Sequence, residues 1–142
     1  MRSKAPSVLI EQLVMVLVFA LAATLCVQVF VLSDRMSRRS EARDRAVLQA
    51  QNAAETLKSC GGDTAAAAGR LGGQCSGDQW ELAYDEAWQP AASPEQAAYY
   101  LCVTPQDSGE PLLGMAEITV RTAAGQELYT LSAAWQEGAA HA

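Results

Sequence analysis

The sequence predicts an α+β protein in which one long N-terminal helix packs on a small antiparallel sheet of about four strands. Three observations lead to this prediction. The stretch from Ser7 to Leu32 is apolar, no Gly or Pro occurs between Ser7 and Ser59, and short alternating segments bounded by turn residues follow after residue 79. The chain has 142 residues, so only about 80 residues remain for one small globular unit.

The first part of the chain is a basic leader over residues 1–6, followed by the apolar segment 7–32. From Leu13 onwards the only polar side chains in this segment are Thr24 and Gln28. Twenty residues of α-helix extend about 30 Å, which matches the hydrocarbon thickness of a bilayer. The sequence therefore predicts a transmembrane helix over residues 7–32.

A cleaved secretory signal is the alternative interpretation of this N-terminus. The leader supplies positive charges, and Ala20-Leu21-Ala22 fits a cleavage site of the small-x-small type. The apolar run nevertheless continues for ten residues beyond that site, and Glu11-Gln12 interrupts its beginning. A retained helix is consistent with both features, so we favour it.

The helix is expected to continue as an amphipathic segment over residues 33–59. Small and apolar residues recur there at steps of three and four, which places them on one narrow stripe of the helix. The members of this stripe are Ala46, Val47, Ala50, Ala53, Ala54 and Leu57. We expect the stripe to cover one face of the sheet, because such a small domain buries little surface by itself.

A loop region over residues 60–79 is predicted to follow the helix. Gly61-Gly62 ends the helix, and Asp63 is a suitable N-cap for a short helix over Thr64–Leu71. Residues 80–137 then show the alternation and the turn signals of an antiparallel sheet. The expected strands cover residues 80–85, 98–104, 115–122 and 127–135, a loop is expected over 72–78, and a flexible tail over 138–142.

Composition and motifs argue against several functional classes. The net charge of −6 and the pI near 4.7 disfavour a nucleic-acid partner, because phosphate binding requires clustered Lys and Arg. No glycine-rich phosphate loop, nucleophile-elbow string, paired catalytic carboxylate motif or metal-ligand spacing occurs, and the only histidine, His141, lies beside the chain end. We therefore expect no enzymatic activity, no metal site and no cofactor.

The four cysteines are Cys26, Cys60, Cys75 and Cys102, and the first of them lies inside the apolar segment. If the domain lies outside the membrane, a disulfide between Cys60 and Cys75 is plausible and would contribute about 3 kcal/mol on the chain-entropy model. Cys102 is either a small buried strand residue or a partner for Cys60 or Cys75. Spacing alone does not decide between these arrangements.

Two further patterns in the second half of the chain are interpreted as structural. The aromatic residues are expected to pack in the core or cover sheet edges rather than to form a surface that binds sugar or peptide. They are Trp80, Trp88, Trp135, Tyr84, Tyr99, Tyr100 and Tyr129. Asp85-Glu86 and Asp107 with Glu110 are expected to stabilise turns, and calcium binding is the less favoured interpretation.

Glu11 is the residue that bears most on function. A charge at the bilayer centre costs roughly 2.5 to 3.5 kcal/mol on insertion scales, and less near the interface, so an unpaired glutamate in an apolar segment requires an explanation. The surrounding string is Ser7-Val8-Leu9-Ile10-Glu11-Gln12-Leu13, and Met1-Arg2-Ser3-Lys4-Ala5-Pro6 precedes it. This arrangement resembles the N-terminus of type IV pilins and of type II secretion pseudopilins.

The resemblance implies proteolytic processing and assembly with other pilin-like subunits. In that family a prepilin peptidase removes a basic leader, and the new amino terminus is followed four residues later by a glutamate. The cut would fall here between Pro6 and Ser7, with Pro6 in the place where the family usually has glycine. The ammonium group of Ser7 in one subunit would then neutralise Glu11 of its neighbour.

The resemblance further implies a minor pilin or pseudopilin, a structural subunit of a type IV pilus, competence or type II secretion-like filament. Such a subunit is a single-pass protein of the cell membrane, with the N-terminus in the cytoplasm and the C-terminal domain outside, and it enters an extracellular filament on assembly. Its partners are other subunits, the peptidase and the membrane. The alternative is a stand-alone membrane-anchored module whose sheet binds an extracellular ligand.

The charges after the apolar segment oppose this orientation. Five arginines follow the segment, at positions 35, 38, 39, 43 and 45, and counting Lys and Arg alone places the C-terminal side inside the cell. We favour the opposite orientation because Asp34, Glu41 and Asp44 can pair with these arginines along the helix, and because the pilin-like leader requires a cytoplasmic N-terminus. Residues 34–45, the arginine collar, either pair with neighbouring subunits or form a solvated helix surface.

Overall fold

The computed structural model describes residues 5–137, so most of the leader and the tail over 138–142 lie outside the described residues. The chain divides into two compact units between Ser40 and Glu41. One long helix contributes to both units, and the other elements belong to the second unit. Together these elements form an α+β protein, as the sequence predicts.

Helix α1 spans Ala5–Ser59. The structure thus confirms one uninterrupted helix up to Ser59, and the helix begins two residues before the predicted Ser7. Pro6 is compatible with this start, because the first turn of a helix has no intrahelical acceptor for the N–H that proline lacks.

The first unit consists of α1 as far as Ser40, and its described side chains, from Pro6 onwards, are exposed. Large apolar residues point outward all around this part of the helix, for example Leu17 at 58 % exposure and Phe19 at 77 %. The mean hydropathy over an 18-residue window is 2.7, so α1 is long and apolar enough to cross a membrane. The predicted transmembrane segment is therefore a candidate membrane span.

The second unit contains the end of α1, a short helix and a five-stranded antiparallel sheet. Helix α2 spans Thr64–Leu71, as predicted. The strands are β1 (Gln74–Ser76), β2 (Gln79–Tyr84), β3 (Tyr99–Gln106), β4 (Leu113–Thr122) and β5 (Glu127–Gln136). They lie in the order β1-β2-β3-β4-β5, so every strand pairs with its neighbour in sequence.

The sheet has one strand more than the predicted four. The additional strand β1 lies in the segment that the sequence predicts as a loop, and its three residues are all exposed. They carry no apolar alternation that would indicate a strand. These three residues form a strand because Gln74 pairs with Glu81, and Cys75 with Trp80, along the edge of β2.

The core of the second unit lies between α1 and one face of the sheet. Leu57 and the alanines of the predicted stripe are buried, and Val47 is half-buried. Across from them lie the inward residues of the strands, which are Trp80, Leu82, Tyr84, Leu101, Val103, Ala116, Ile118, Val120 and Ala133. The predicted covering of the sheet by the amphipathic half of the helix is therefore confirmed.

Specific contacts fix both ends of this packing. The Tyr84 hydroxyl lies 3.3 Å from Gln49 Oε1 on α1, at one end of the sheet. At the other end, the indole ring of Trp135 lies against Gly62, just after α1, and against Gly114 on β4. A Cβ at either glycine would overlap this ring, so both positions require glycine for close approach.

Candidate functional site

Glu11 lies on α1 and is exposed, with apolar neighbours such as Leu9 and Leu13 that are also exposed. None of the ion pairs within residues 5–137 includes it. In a bilayer this carboxylate would stand among side chains that cannot solvate it. Any cation that pairs with Glu11 would therefore come from outside the described part of this chain.

The predicted processing residues, Pro6 and Ser7, both lie in the first turn of α1 and are exposed. Ser7 precedes Glu11 by four residues, so the two lie on the same side of the helix, about 6 Å apart along its axis. An amino terminus at Ser7 would thus lie close in height to Glu11 of a parallel neighbour shifted by one turn. The cleavage itself stays a prediction.

A shallow apolar groove runs along one side of the candidate membrane span. It has a volume of about 420 Å³ and is lined by Val14, Met15, Val18, Phe19 and Ala22. These residues are spaced by three, four and one positions, as adjacent turns of a helix require. The groove can accept the side chains of another helix or the acyl chains of lipid.

The arginine collar is exposed throughout its length apart from the half-buried Ala42. Arg38 Nε forms an ion pair of 3.0 Å with Asp34 Oδ2, one turn earlier. Among the described residues no ion pair includes Arg35, Arg39, Arg43 or Arg45. The predicted pairing along the helix is therefore present once, and most of the arginines present free guanidinium groups.

The structure does not support the predicted disulfide between Cys60 and Cys75. All four cysteines are free thiols. Cys75 is exposed and its Sγ lies 3.6 Å from the carbonyl oxygen of Thr64, while Cys60 packs against the core at the end of α1. Cys102 likewise has no disulfide partner.

Cys102 lies on the sheet face opposite α1, where β2, β3 and β4 are adjacent. Its Sγ donates a hydrogen bond of 3.1 Å to Glu81 Oε2, and Arg121 Nη2 lies 3.6 Å from the same oxygen. Burial, and then the nearby Glu81 carboxylate, raise the pKa of the Cys102 thiol to about 11. This thiol is therefore a poor nucleophile at neutral pH.

Most of the aromatic side chains pack in or beside the core. Trp80 is fully buried and its Nε1 donates to the carbonyl oxygen of Gly72 at 2.9 Å. Trp88 stacks on Tyr99, with ring centroids 4.1 Å apart and an interplanar angle of 11°. These residues form no exposed aromatic platform of the kind a sugar-binding surface requires.

The two acidic loops have the turn role that the sequence suggests. Asp85 Oδ1 accepts hydrogen bonds of 2.9 Å from the backbone N–H groups of Ala87 and Gln89. Asp107 Oδ1 accepts one of 2.9 Å from Gly109 N. No group of three or more metal-ligating side chains suitable for a metal ion occurs within the described residues.

An acidic cleft at one end of the sheet is a feature that sequence reasoning missed. Its volume is about 470 Å³, and the charged residues among those that line it are all carboxylates. They come from the starts and ends of separate elements and are Asp63, Asp78, Asp107, Glu110 and Glu137. The uneven distribution of charge along the chain was the available signal, but only the fold brings these positions together.

Comparisons of the chain with protein-family models, with curated proteins and with solved structures gave no match. The functional interpretation therefore depends on the residues themselves, above all on Glu11 and on the two different halves of α1.

Proposed function

We propose that this protein is a minor pilin or pseudopilin, a structural subunit of a type IV pilus, competence or type II secretion-like filament. The observation that carries the proposal is Glu11, an exposed carboxylate in an exposed apolar helix without a cation in the described part of its own chain. A neighbouring subunit that offers a free amino terminus at Ser7 would supply the missing charge. Glu11 would then act in assembly and not in catalysis.

The difference in burial between the first and second parts of α1 supports this proposal. Residues up to Ser40 have no cover within the described chain, while the stripe from Ala46 to Leu57 is covered by the sheet. A filament subunit requires this combination, because one half of its helix must pack with other subunits and the other half must carry a folded domain. Membrane insertion precedes assembly, with the N-terminus in the cytoplasm and the domain outside.

In the proposed mechanism, the helix leaves the bilayer and enters a bundle of subunit helices. Apolar side chains exchange lipid for other helices, which changes their free energy little. The pair between Glu11 and the Ser7 terminus gains much more, because the carboxylate is unpaired in lipid and paired in the bundle. This pair would therefore set the axial register between subunits.

Replacement of Glu11 by Ala tests the proposal. We expect Glu11→Ala to insert into the membrane as well as the native chain, because it removes a charge from an apolar segment. We expect it to disappear from sheared filaments, measured by immunoblotting of sheared and membrane fractions. Gln12→Ala is the matched control, because it changes the adjacent polar residue on a different side of the helix.

Unchanged recovery of Glu11→Ala in the sheared fraction would contradict the proposal and favour a stand-alone membrane-anchored binding module. Loss of Gln12→Ala to the same extent would also contradict it, because assembly would then depend on polarity in general and not on the carboxylate.

A further inference from the structure

Charge is distributed very unevenly along this chain. Without the leader, residues 7–59 contain six Lys and Arg and five Asp and Glu, a net charge of +1, and five of the six basic residues lie within residues 34–45. Residues 60–142 contain two basic and eleven acidic side chains, a net charge of −9. The globular part of one copy is therefore electrostatically attracted to the helix of another, while two globular parts repel each other.

The positive charge is concentrated on one face of the arginine collar. Arg35, Arg39 and Arg43 are four residues apart, so they lie on successive turns of one side of α1. Asp34, Glu41 and Asp44 fall on the opposite side at about 100° per residue. Because most of the arginines have no ion-pair partner within residues 5–137, this arginine face is an unpartnered helix face.

The acidic cleft has the complementary chemistry. Of the five carboxylates that line it, Asp78, Glu110 and Glu137 are exposed and accept no side-chain hydrogen bond or ion pair within the described residues. The half-buried indole ring of Trp135 also lines the cleft. Guanidinium groups bind carboxylates in bidentate fashion and stack on aromatic rings, so arginine suits this cleft better than lysine.

We propose that the arginine face of α1 in one copy docks into the acidic cleft of a second copy. This inference rests on the proposed function, because it names the second contact by which subunits of one filament recognise each other. The cleft lies beyond the end of α1 at Ser59, whereas Arg43 and Arg45 lie near the start of the second unit. The two surfaces differ, so between subunits that lie parallel the contact is head-to-tail, which is compatible with an open chain of subunits.

Charge reversal on each surface, separately and together, tests this contact in the full-length protein. The helix variant is Arg39→Glu with Arg43→Glu, and the cleft variant is Glu110→Arg with Glu137→Arg. We expect each to lower the amount of sheared filament at least about tenfold, because like charges then face each other. The chain that combines all four substitutions restores attraction, and we expect it to assemble within about threefold of the native chain.

Matched controls carry the same changes of charge at other places. Lys58→Glu with Arg70→Glu controls for the helix variant, and Glu95→Arg with Glu127→Arg controls for the cleft variant. All these side chains are exposed, so we expect each control to assemble like the native chain. Equal membrane levels of all the variants, measured by immunoblotting, exclude defects in folding or insertion.

Several results would overturn the inference. If the combined variant assembles no better than the helix variant, the arginine face binds something other than the cleft, with anionic lipid headgroups as the alternative partner. If both separate reversals assemble like the native chain, the contact does not exist. Failure of the proposed function is distinguishable, because the native chain would then be missing from sheared filaments or Glu11→Ala would be present in them.

Discussion

The two halves of α1 belong to one helix, but the apolar side chains of the first half are exposed and those of the second half are mostly buried. Between Val8 and Leu32 large apolar side chains point outward in every direction, and none is buried. Between Ala46 and Leu57 the apolar stripe is narrow, consists mostly of alanine and is buried against the sheet. The first half thus has an apolar surface that the described chain does not cover, and the second half has one that the chain covers itself.

The two halves differ in how much of their packing lies within this chain. Alanine on the second half lets the helix backbone approach the strands closely, and the bulk of the core comes from Trp80, Leu101 and Ile118. Bulky residues on the first half can pack against lipid chains, which adapt their shape, or against the side chains of other helices. The domain should therefore depend on packing within the chain, while the first half should depend on membrane and partners.

The largest expected difference between the halves concerns leucine. Leu57 is fully buried and Leu17 is 58 % exposed. We expect Leu57→Ala to lower the free energy of unfolding of the domain by about 2–5 kcal/mol, through lost transfer energy and the cavity that remains. Leu17→Ala should change it by less than about 0.5 kcal/mol. Chemical denaturation of the full chain in detergent, followed by tryptophan fluorescence, measures both, and equal losses would invalidate the comparison.

Replacement of an alanine by leucine should also affect stability differently in the two halves, but by a smaller amount. Ala50 is fully buried between α1 and the sheet, whereas Ala23 is exposed. Ala50→Leu should destabilise the domain by about 1–3 kcal/mol, because a close-packed core has no space for the added atoms. Ala23→Leu should leave unfolding of the domain unchanged in the same denaturation assay. A neutral Ala50→Leu would show that the helix is loosely docked.

The sequence was sufficient for most of the fold because its signals were local. The absence of Gly and Pro between Ser7 and Ser59, the stripe that ends at Leu57 and the N-cap Asp63 are each visible in residues close in sequence. Asp63 Oδ1 indeed accepts hydrogen bonds from the backbone N–H groups of Ala65 and Ala66. The alternation around Ile118 likewise marked β4.

The parts that the sequence did not predict depend on contacts between distant residues. Strand β1 exists through its pairing with β2 and carries no pattern of its own. Strand β3 continues through Pro105 to Gln106, beyond the expected end of this strand at residue 104. Proline is tolerated there because pairing with β2 ends at Val103, so that beyond it β3 pairs only with β4 and has one free edge.

The candidate functional residues also fall into those that local sequence identifies and those that only the fold brings together. Glu11 was identified from its neighbours in sequence, and the structure places it on the expected helix. No cation within residues 5–137 pairs with it, so its pairing with the Ser7 terminus of a neighbour stays a prediction. The acidic cleft needed the fold, since Asp63 and Glu137 come together only through α2 and β5.

The smallest expected difference between the two regions concerns the reactivity of their cysteine thiols. In intact membranes we expect a charged maleimide to label the exposed Cys75 first and to leave Cys26 unlabelled, because lipid or another helix covers it. Cys102 should react slowly at pH 8, since its pKa is raised to about 11, and its labelling rate should rise about tenfold per pH unit below that value. Peptide mass spectrometry reports each site, and rapid labelling of Cys26 would show an aqueous environment.

The central claim is that the uncovered half of α1 is completed by other copies, which bring a new amino terminus to Glu11. The most direct test is the N-terminal mass of the chain recovered from sheared filaments, beside that of the chain left in the membrane. We predict a filament chain that begins at Ser7. A chain that keeps Met1 and sediments only as a monomer after gentle solubilisation would contradict the account.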